Sequence, residues 1–273
     1  MARPIINIIS LNVWGGRRLS ELLHFVNSQK DVVAVWCFQE VFDTQDNPGP
    51  PIRQDSDRQT TQVELFSLLE GILSEHTGYF TPFAKGYLND SDSTDHSVGY
   101  GIAMFISNHI EVISEGFSFI YDSEIRRVES PPPLPRVLQF AHLRTPTNNA
   151  FVIANLHGLW QPNQKAYSLE RAAQSIEILR FLNREICLAT PTIILGDFNV
   201  LNDNPLFDNL HAAGYSNHIK INNVKCTRST LYKGNIKCGD YVFTDCRVKA
   251  KLTVLEPQPT ISDHLPLLLE VQS

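Results

Sequence analysis

Short apolar runs recur along the whole chain and constrain its fold more than any other feature of the sequence. Most are four to seven residues long, are rich in Val, Ile and Phe, and are bounded by polar residues, which predicts strands buried on at least one face. The runs are IINIIS, VVAVWCF, GIAMFIS, VLQFAHL, FVIANL, TIIL, YVF and LPLLLEV. Helical periodicity occurs in fewer places, over residues 19–27, 60–73 and 168–186. Together these patterns predict an α/β fold in which two β-sheets pack face to face and helices lie outside them.

The length and composition of the chain fit a single domain over residues 1–273. Of the 273 residues, 42% are hydrophobic and 19% are charged, as is typical of soluble globular proteins with a large core. No apolar run approaches the roughly 18 residues of a membrane span, and the first residues do not resemble a secretory signal. We therefore expect a cytoplasmic protein without a transmembrane segment. The sequence predicts no protein partner.

The cysteine pattern is not that of a disulfide or zinc protein. The five cysteines are odd in number and include no C-x-x-C pair, which argues against a disulfide framework. Cys226, Cys238 and Cys246, taken with His218, match no common spacing of zinc ligands. We expect reduced thiols that are mostly buried.

The charges are unevenly distributed along the chain. The net charge of −6 does not by itself indicate nucleic acid binding. Residues 209–239, which we call the basic segment, contain no Asp or Glu. The basic segment carries Lys220, Lys225, Arg228, Lys233 and Lys237, together with Tyr215 and Tyr232. Such a segment is either a solvated charged loop or a loop that contacts phosphate groups.

Acidic, amide and histidine side chains stand at the margins of six apolar runs. They are Asn12, Glu40, Asn155, His157, Asp197, Asn199, Asp240, Asp263 and His264. Any one of them could be a cap or a turn residue, but their number at strand ends indicates a site. Because side chains alternate along a strand, we expect Asp197 and Asn199 on one face and Phe198 on the other. A turn at this point is the alternative.

These residue types suit metal-assisted phosphoryl chemistry. Carboxylate and amide oxygens are ligands for hard ions such as Mg²⁺ or Mn²⁺. A histidine can donate to a phosphate oxygen, and an aspartate can orient or deprotonate the attacking water. The sequence contains no nucleophile elbow, no P-loop and no Cys/His zinc pattern, which removes the main alternatives.

The same stretches resemble, in their order along the chain, the motifs of the endonuclease/exonuclease/phosphatase superfamily, which has the deoxyribonuclease I-like fold. The motifs are SLNVWGG, CFQEVF, ANLHGLWQP, ILGDFNVLNDNP, GDYVFT and ISDHLPLLLEV, and they extend over residues 5–271. TRSTLYK, taken with GDYVF, is similar to an uncharacterised bacterial-type branch. The resemblance implies a four-layer α/β sandwich in which two packed, mostly antiparallel β-sheets are flanked by helices. It places the site at one edge of the paired sheets.

The resemblance also implies a role for each motif residue. The implied metal ligands are Asn12, Glu40 and Asp263. The implied catalytic residues are His157, Asp197, Asn199, Asp240 and His264. Asp197 would activate or orient the water, while Asn199 would hold the water and the phosphate. His264 would contact the phosphate, with its tautomer fixed by Asp240, and His157 would flank the phosphate from the opposite sheet. Asn155 and Arg228 are expected to bind the substrate.

The expected activity is that of a divalent-metal-dependent phosphodiesterase, a nuclease acting on DNA or RNA. The alternative is a phosphatase or phosphodiesterase for a small phosphoester or a phospholipid headgroup, and an inactive binding protein is a third reading. KCGDYVF departs from the W-C-D-R-I signature of inositol phosphatases. A histidine, His157, stands near the position where exonuclease III-like enzymes carry a tyrosine. Binding that weakens steeply with salt would distinguish a nucleic acid substrate from a compact phosphoester.

Overall fold

The apolar runs of the sequence form the strands of the fold. The computed structural model describes residues 5–44, 52–54, 60–86, 98–127, 133–161, 168–185, 190–201 and 204–272. Its strands are β1 (Ile5–Asn12), β2 (Val35–Thr44), β3 (Ile52–Gln54), β4 (Thr60–Gln62), β5 (His76–Gly86), β6 (Val98–Ser107), β7 (Glu111–Tyr121), β8 (Arg126–Arg127), β9 (Arg136–Arg144), β10 (Ala150–His157), β11 (Thr192–Asp197), β12 (Tyr215–Asn217), β13 (Asp240–Asp245), β14 (Ala250–Val254) and β15 (Leu267–Gln272). Its helices are α1 (Leu19–Gln29), α2 (Leu65–Ile72), α3 (Leu169–Glu185), α4 (Leu206–Ala212) and α5 (His218–Ile221), preceded by a 3₁₀ turn at Trp14–Gly16.

Two large sheets pack against each other in the middle of the fold. One has the strand order β14-β15-β1-β2-β6-β5-β8, and the other has the order β12-β13-β11-β10-β9-β7. β3 and β4 form a separate antiparallel pair. Most neighbouring strands are antiparallel, apart from the short β5–β8 pairing and one central parallel pair in each large sheet. The predicted pair of mostly antiparallel sheets is therefore confirmed.

Helices cover the outer face of each large sheet. In β1, Ile8 packs in the core between the sheets, whereas Ile9 and Leu11 pack in the layer of α1 and α2. On the other sheet, the Phe140 ring contacts Phe181 of α3, with ring centroids 5.1 Å apart. The order of layers is helices, sheet, sheet, helices, as the sequence predicted. Because both faces of the central strands are buried, the apolar runs are nearly continuous instead of alternating.

Each large sheet contains one β-α-β unit, and the two units position the polar strand ends. Helix α1 connects the parallel strands β1 and β2, and helix α3 lies between the parallel strands β10 and β11. Parallel strands joined in this way end at the same edge of their sheet. Asn12 is thus the neighbour of Gln39, and His157 is the neighbour of Asp197.

The helices differ from the predicted ones in two places. The periodicity over residues 60–73 predicted a longer helix than α2, because Thr60–Gln62 form β4 instead. The short helices α4 and α5 were not predicted, since seven and four residues are too few to show a helical period. In the part of the chain that the structure describes, no helix is long and apolar enough to cross a membrane.

The cysteines with described positions are free thiols. Cys37 and Cys238 are buried, Cys226 is partly buried and Cys246 is exposed. The fifth cysteine, Cys187, lies outside the described residues. Burial raises the pKa of the Cys238 thiol to about 11, so this thiol stays protonated at neutral pH.

Candidate active site

The amide of Asn12 connects the edges of the two large sheets. Asn12 ends β1, and Asp197 ends β11 in the opposite sheet. The fully buried side chain of Asn12 donates hydrogen bonds to Glu40 Oε1 at 3.0 Å and to Asp197 Oδ2 at 3.2 Å. Two carboxylates that are far apart in the sequence are therefore held by one amide.

A bulge in β2 carries Glu40. The pairing register of β2 with β6 shifts between Gln39 and Val41, and Glu40 between them has a φ of 59°. A bulge redirects the side chain at which it occurs, and a positive φ in a non-glycine residue is a strained conformation often found at functional sites. Burial raises the pKa of Glu40, and the neighbouring charge of Asp263 raises it further. Glu40 is thus a carboxylate that a nearby positive charge would stabilise.

The backbone turns immediately after Asp197, so the expected strand alternation of Asp197 and Asn199 is wrong. β11 ends at Asp197, and Asn199 has a left-handed φ of 57°. The Asn199 N–H donates to Asp197 Oδ1 at 2.9 Å, while its side-chain amide donates to Gly158 O at 3.3 Å. Phe198 is buried among the aromatic rings of Phe207 and Phe243. A turn, instead of a shared strand face, brings Asp197 and Asn199 together.

Glycine at position 196 allows the strand that ends in Asp197 to lie close to β10. Gly196 has a φ of 137°, and a Cβ added to it would lie 2.0 Å from Leu156 O. Gly158, which follows β10, is equally confined, because an added Cβ would lie 2.3 Å from Phe198 O. The two glycines let the ends of β10 and β11 approach to the distance at which Gly158 N–H donates to Asp197 O at 2.6 Å.

A buried chain of hydrogen bonds orients His264. Its Nδ1 lies 2.7 Å from Asp240 Oδ1, and Thr227 Oγ1 donates to Asp240 Oδ2 at 2.7 Å. Asp240 therefore holds the Nδ1–H tautomer and directs Nε2 toward Asp197, whose Oδ2 is 3.6 Å away. Burial lowers the pKa of His264 while the charge of Asp240 raises it, and the net result is a raised pKa.

Arg228 lies within this cluster and contributes a guanidinium group to it. Its backbone pairs with that of His264 as an isolated antiparallel bridge. Its Nη1 contacts His264 Nε2 and lies 3.8 Å from Asp263 Oδ2, while its Nη2 lies 4.0 Å from Asp197 Oδ2. The guanidinium also stacks on the ring of Tyr232 at 4.6 Å. Burial lowers the pKa of Arg228, but the carboxylates led by Asp197 raise it overall, so the positive charge is stable here.

His157, the last residue of β10, lies beside the same carboxylates. Its Nε2 lies 3.9 Å from Glu40 Oε1 and 4.0 Å from Asp197 Oδ2. The ring packs edge to face on Phe83, with centroids 6.0 Å apart. His157 thus lies beside one carboxylate from each large sheet, and its role in flanking a phosphate stays a prediction.

Asn155 lies in the core between the sheets, where it is engaged with protein groups. Its Oδ1 accepts a hydrogen bond from Gln39 Nε2 at 2.7 Å. Its Nδ2 donates to Phe38 O at 3.3 Å and to Ala103 O at 3.2 Å. Asn155 is 0% exposed. Since both amide hydrogens are donated to backbone carbonyls, we correct the expected substrate contact and propose that Asn155 joins the two sheets.

Two further residues near the site were not indicated by any pattern in the sequence. Arg136 is 4% exposed, donates from Nε to Gly158 O at 2.9 Å and stacks on Phe83. Tyr100 packs between Phe42 and Phe83. Burial raises the pKa of Tyr100 well above its usual value, and the charge of Glu40 adds to the effect. In sequence both look like ordinary strand residues, so only their position in the fold relates them to the site.

The donor set at this edge fits a hard divalent cation. Burial raises the pKa of Glu40, the charges of Asp263 and Asp197 raise it further, and a bound cation would relieve this. One group of metal-binding side chains among the described residues is Asp197, Asp240 and His264, whose ligand atoms lie within 4.8 Å of one another. Both oxygens of Asp240 already accept short hydrogen bonds. The assignment of Glu40 and Asp263 as metal ligands stays a prediction.

Solved structures with the same fold span nearly the whole chain. An endonuclease/exonuclease/phosphatase family protein from Leptotrichia buccalis is 15% identical, with a TM-score of 0.70. The match covers 98% of this chain and 100% of that one. The mannosyl-6-phosphatase Bt3783 from Bacteroides thetaiotaomicron is 13% identical, with a TM-score of 0.65 and coverages of 97% and 99%. The human Nocturnin catalytic domain with bound sulfate is 17% identical, with a TM-score of 0.67 and coverages of 98% and 93%. At these identities the similarity shows the fold.

Comparison at the level of sequence gives the family. No curated protein matches the chain. The model of the Endonuclease/Exonuclease/phosphatase family matches residues 9–264, a range that includes all nine polar residues at the strand ends. Members of this family are generally hydrolases acting on phosphate esters and typically use divalent metals. The chain therefore belongs to the endonuclease/exonuclease/phosphatase family.

Proposed function

We propose that this protein is a divalent-metal-dependent phosphodiesterase of nuclease type that hydrolyses DNA or RNA. The observation that carries the proposal is the single buried cluster formed by Asp197, the Asp240–His264 pair and Arg228 beside Glu40 and Asp263. It contains a carboxylate for the attacking water, positively charged donors for a phosphate, and oxygen ligands for a metal ion. These are the groups that in-line attack of water on a phosphate ester requires.

Glu40, Asp263 and Asn12 would hold Mg²⁺ or Mn²⁺. When bound, the ion neutralises negative charge on the phosphate. Asn12 Nδ2 donates to Glu40 and Asp197, so its amide fixes the positions of two carboxylates in addition to its implied place at the metal. Glu40 has the raised pKa that a carboxylate without a bound cation shows when it faces other acids.

Asp197 accepts the proton of the attacking water or orients that water. Its Oδ1 is fixed by the Asn199 N–H, and its Oδ2 accepts from Asn12. We assign Asn199 to binding of the water and the phosphate, because the turn keeps it beside Asp197. A carboxylate held by two donors cannot rotate freely, which keeps it aligned for the attack.

His264 and Arg228 stabilise the phosphate as charge develops on it. Asp240 keeps the Nδ1–H of His264 engaged, so that Nε2 points to the side of the cluster where Arg228 Nη1 and Asp197 lie and where the phosphate would bind. Arg228 brings a planar guanidinium, whose paired N–H groups match two phosphate oxygens. His157, which lies near Glu40 and Asp197, would flank the same phosphate.

The nuclease reading is supported by the basic segment, because Arg228 belongs to it and reaches the site. The second candidate is a phosphatase for a small phosphoester or a lipid headgroup. It is favoured by the burial of Arg228, which is 8% exposed, since a deep guanidinium binds a small phosphate as well as a polymer. An inactive binding protein is disfavoured, because the carboxylates and both histidines implied by the family are all present in one cluster.

Hydrolysis by metal-stripped protein, with and without added Mg²⁺ or Mn²⁺, tests the proposal. The substrates are single-stranded DNA, RNA, duplexes with abasic or blocked ends, and small phosphomonoesters. Asp197→Ala is expected to lose at least about 1,000-fold in kcat/KM while keeping its melting temperature. Asp208→Ala, which changes an exposed aspartate of α4, is the matched control.

The outcomes separate the candidates. Metal-restored cleavage of a polynucleotide, absent in Asp197→Ala, supports a nuclease. Activity on small phosphoesters alone supports the second candidate. Asp197→Ala activity within about tenfold of the wild type would remove Asp197 from its assigned role.

A further inference from the structure

A cavity beside the candidate site is lined by three lysines of the basic segment. We call it the lysine pocket, and its volume is about 390 Å³. It is lined by Leu201, Ile219, Lys220, Asn223, Val224, Lys225, Lys237 and Cys238. Among these described residues there is no Asp or Glu, so the three ammonium groups face the cavity without an acidic partner in its lining. A concave surface of this charge is suited to an anion.

The chain connects the lysine pocket directly to the site. Leu201 follows Asn199 by two residues, and Cys238 precedes Asp240 by two residues. Between them, the Phe198 N–H donates to Gly239 O at 2.8 Å, which joins the two segments. Residues two positions apart in a chain lie at most about 7 Å from each other, which places the pocket lining close to Asn199 and Asp240. A phosphate in the pocket would therefore be near a phosphate at Arg228 but distinct from it.

Hydrogen bonds connect the parts of the chain that carry the lysines to each other and to the site. The Thr227 N–H donates to Lys237 O at 2.8 Å, which holds the two parts of the basic segment around these residues side by side. Thr227 Oγ1 also donates a hydrogen bond to Asp240, the partner of His264, so Thr227 stabilises both the basic segment and the site. Lys225 Nζ contacts Asn223 Oδ1, a neutral group that leaves its charge uncompensated. A solvated loop would not need this connection to the site.

We infer that the lysine pocket binds a second phosphate of a single-stranded nucleic acid whose scissile phosphate lies at Arg228 and His264. This inference rests on the nuclease function proposed above and names its substrate more closely. A cavity of about 390 Å³ admits roughly one nucleotide. A basic groove that follows the backbone next to the reacting group is a feature of single-strand binding, whereas the phosphates of a duplex lie on a convex rod.

The test removes three charges at the pocket and, as a control, three charges at the opposite edge of the sheets. The pocket variant is Lys220→Gln, Lys225→Gln and Lys237→Gln. The control is Lys30→Gln, Lys249→Gln and Lys251→Gln, which gives the same change in net charge near the beginning of β1 and the end of β15. Among the described residues, the control breaks the exposed Lys251–Glu270 ion pair, which contributes little to stability.

Binding of fluorescent oligothymidylate and oligouridylate of eight nucleotides is measured by anisotropy in the Asp197→Ala background, from about 50 to 200 mM NaCl. The pocket variant is expected to raise Kd at least about tenfold over the control at low salt. It is also expected to lower the slope of log K against log salt by roughly 0.7, the value for one lost phosphate contact. The kcat/KM for bis(4-nitrophenyl) phosphate, with Asp197 intact, is expected to stay within about twofold, since this ester has one phosphate.

Three results would overturn the inference. If Kd values of the pocket and control variants agree within about twofold while the wild type binds and cleaves the oligonucleotides, only the lysine pocket is rejected. An equal loss on the small diester would show that the lysines act through the site itself. If wild-type protein binds neither oligonucleotide, the inference and the nuclease function fail together.

Discussion

At the scale of the residue, Arg228 has the environment that most needs a functional explanation. A guanidinium that is 8% exposed, between Asp197 and Asp263 and against His264, is costly to bury unless its charge is used. The nearby carboxylates offset that cost and raise the pKa of Arg228. Because it stacks on Tyr232, the plane of the guanidinium is also fixed. These features match the needs of a phosphate ligand that binds through two N–H groups.

Replacing Arg228 should reduce activity in a graded way. Arg228→Met is expected to lower kcat/KM by about 100-fold, since a charged hydrogen bond contributes about 1.5–3 kcal/mol. Arg228→Lys should recover part of the loss, because an ammonium restores the charge but not the planar fork. Steady-state kinetics on the substrate that the hydrolysis test identifies measure both changes in kcat/KM, and melting temperatures check the folding of the variants. Arg247→Met, at the far end of β13, is the control, and an Arg228→Met value within threefold of it would exclude phosphate binding.

At the scale of the element, an amide network holds β2, β6 and β10 together across the interface between the sheets. Gln39 and Asn155 face each other from opposite sheets, and Asn155 also donates to carbonyls of β2 and β6. Buried polar groups of this kind are costly when one partner is lost, because the others remain without hydrogen bonds. The network lies in the same inter-sheet layer as Asn12, and it fixes the distance between the edges that carry the site.

Asn155→Leu separates a structural role from the expected substrate contact. The change removes three buried hydrogen bonds, from Gln39 Nε2 to Asn155 and from Asn155 to two backbone carbonyls, so we expect the free energy of unfolding to fall by about 2–4 kcal/mol. The kcat/KM of the folded fraction should change little. Urea unfolding and kinetics below the transition measure the two quantities. Asn149→Leu, at an exposed turn, should change stability by less than about 0.5 kcal/mol. Unchanged stability with lost activity would return Asn155 to the substrate.

At the scale of the whole molecule, the site collects polar and charged groups from along nearly the whole chain, from Asn12 to His264. Residues 5–272 contribute to both sheets, which supports the proposal that residues 1–273 form one domain. Burial at this edge raises the pKa of Glu40, and the nearby charges of Asp263 and Asp197 raise it further, so keeping Glu40 ionised beside them without a cation costs stability. The fold therefore contains a destabilising concentration of negative charge that a metal would offset.

Metal binding should consequently stabilise the protein. At Mn²⁺ or Mg²⁺ concentrations about 100 times Kd, binding adds about 2.7 kcal/mol, which corresponds to a melting temperature higher by roughly 5–10 °C. Glu40→Gln should reduce this increase to below about 2 °C, and without metal it should be at least as stable as the wild type. Differential scanning calorimetry with and without chelator measures both. Glu115→Gln, on the exposed face of β7, is the control, and equal metal shifts in the two variants would exclude Glu40 as a ligand.

The sequence by itself determined the layers, because apolar runs of strand length cannot avoid forming sheets and a two-faced core needs helices outside. It also determined which residue types reach the strand ends, since Asn12, His157 and Asp197 close apolar runs. The tertiary structure alone decided how these residues are joined: the turn at Asn199, the bulge at Glu40, and the bonds that place Asn155 in the core. It also brought Tyr100 and Arg136 to the site. These features depend on contacts between residues distant in the sequence, and a local pattern carries no information about such contacts.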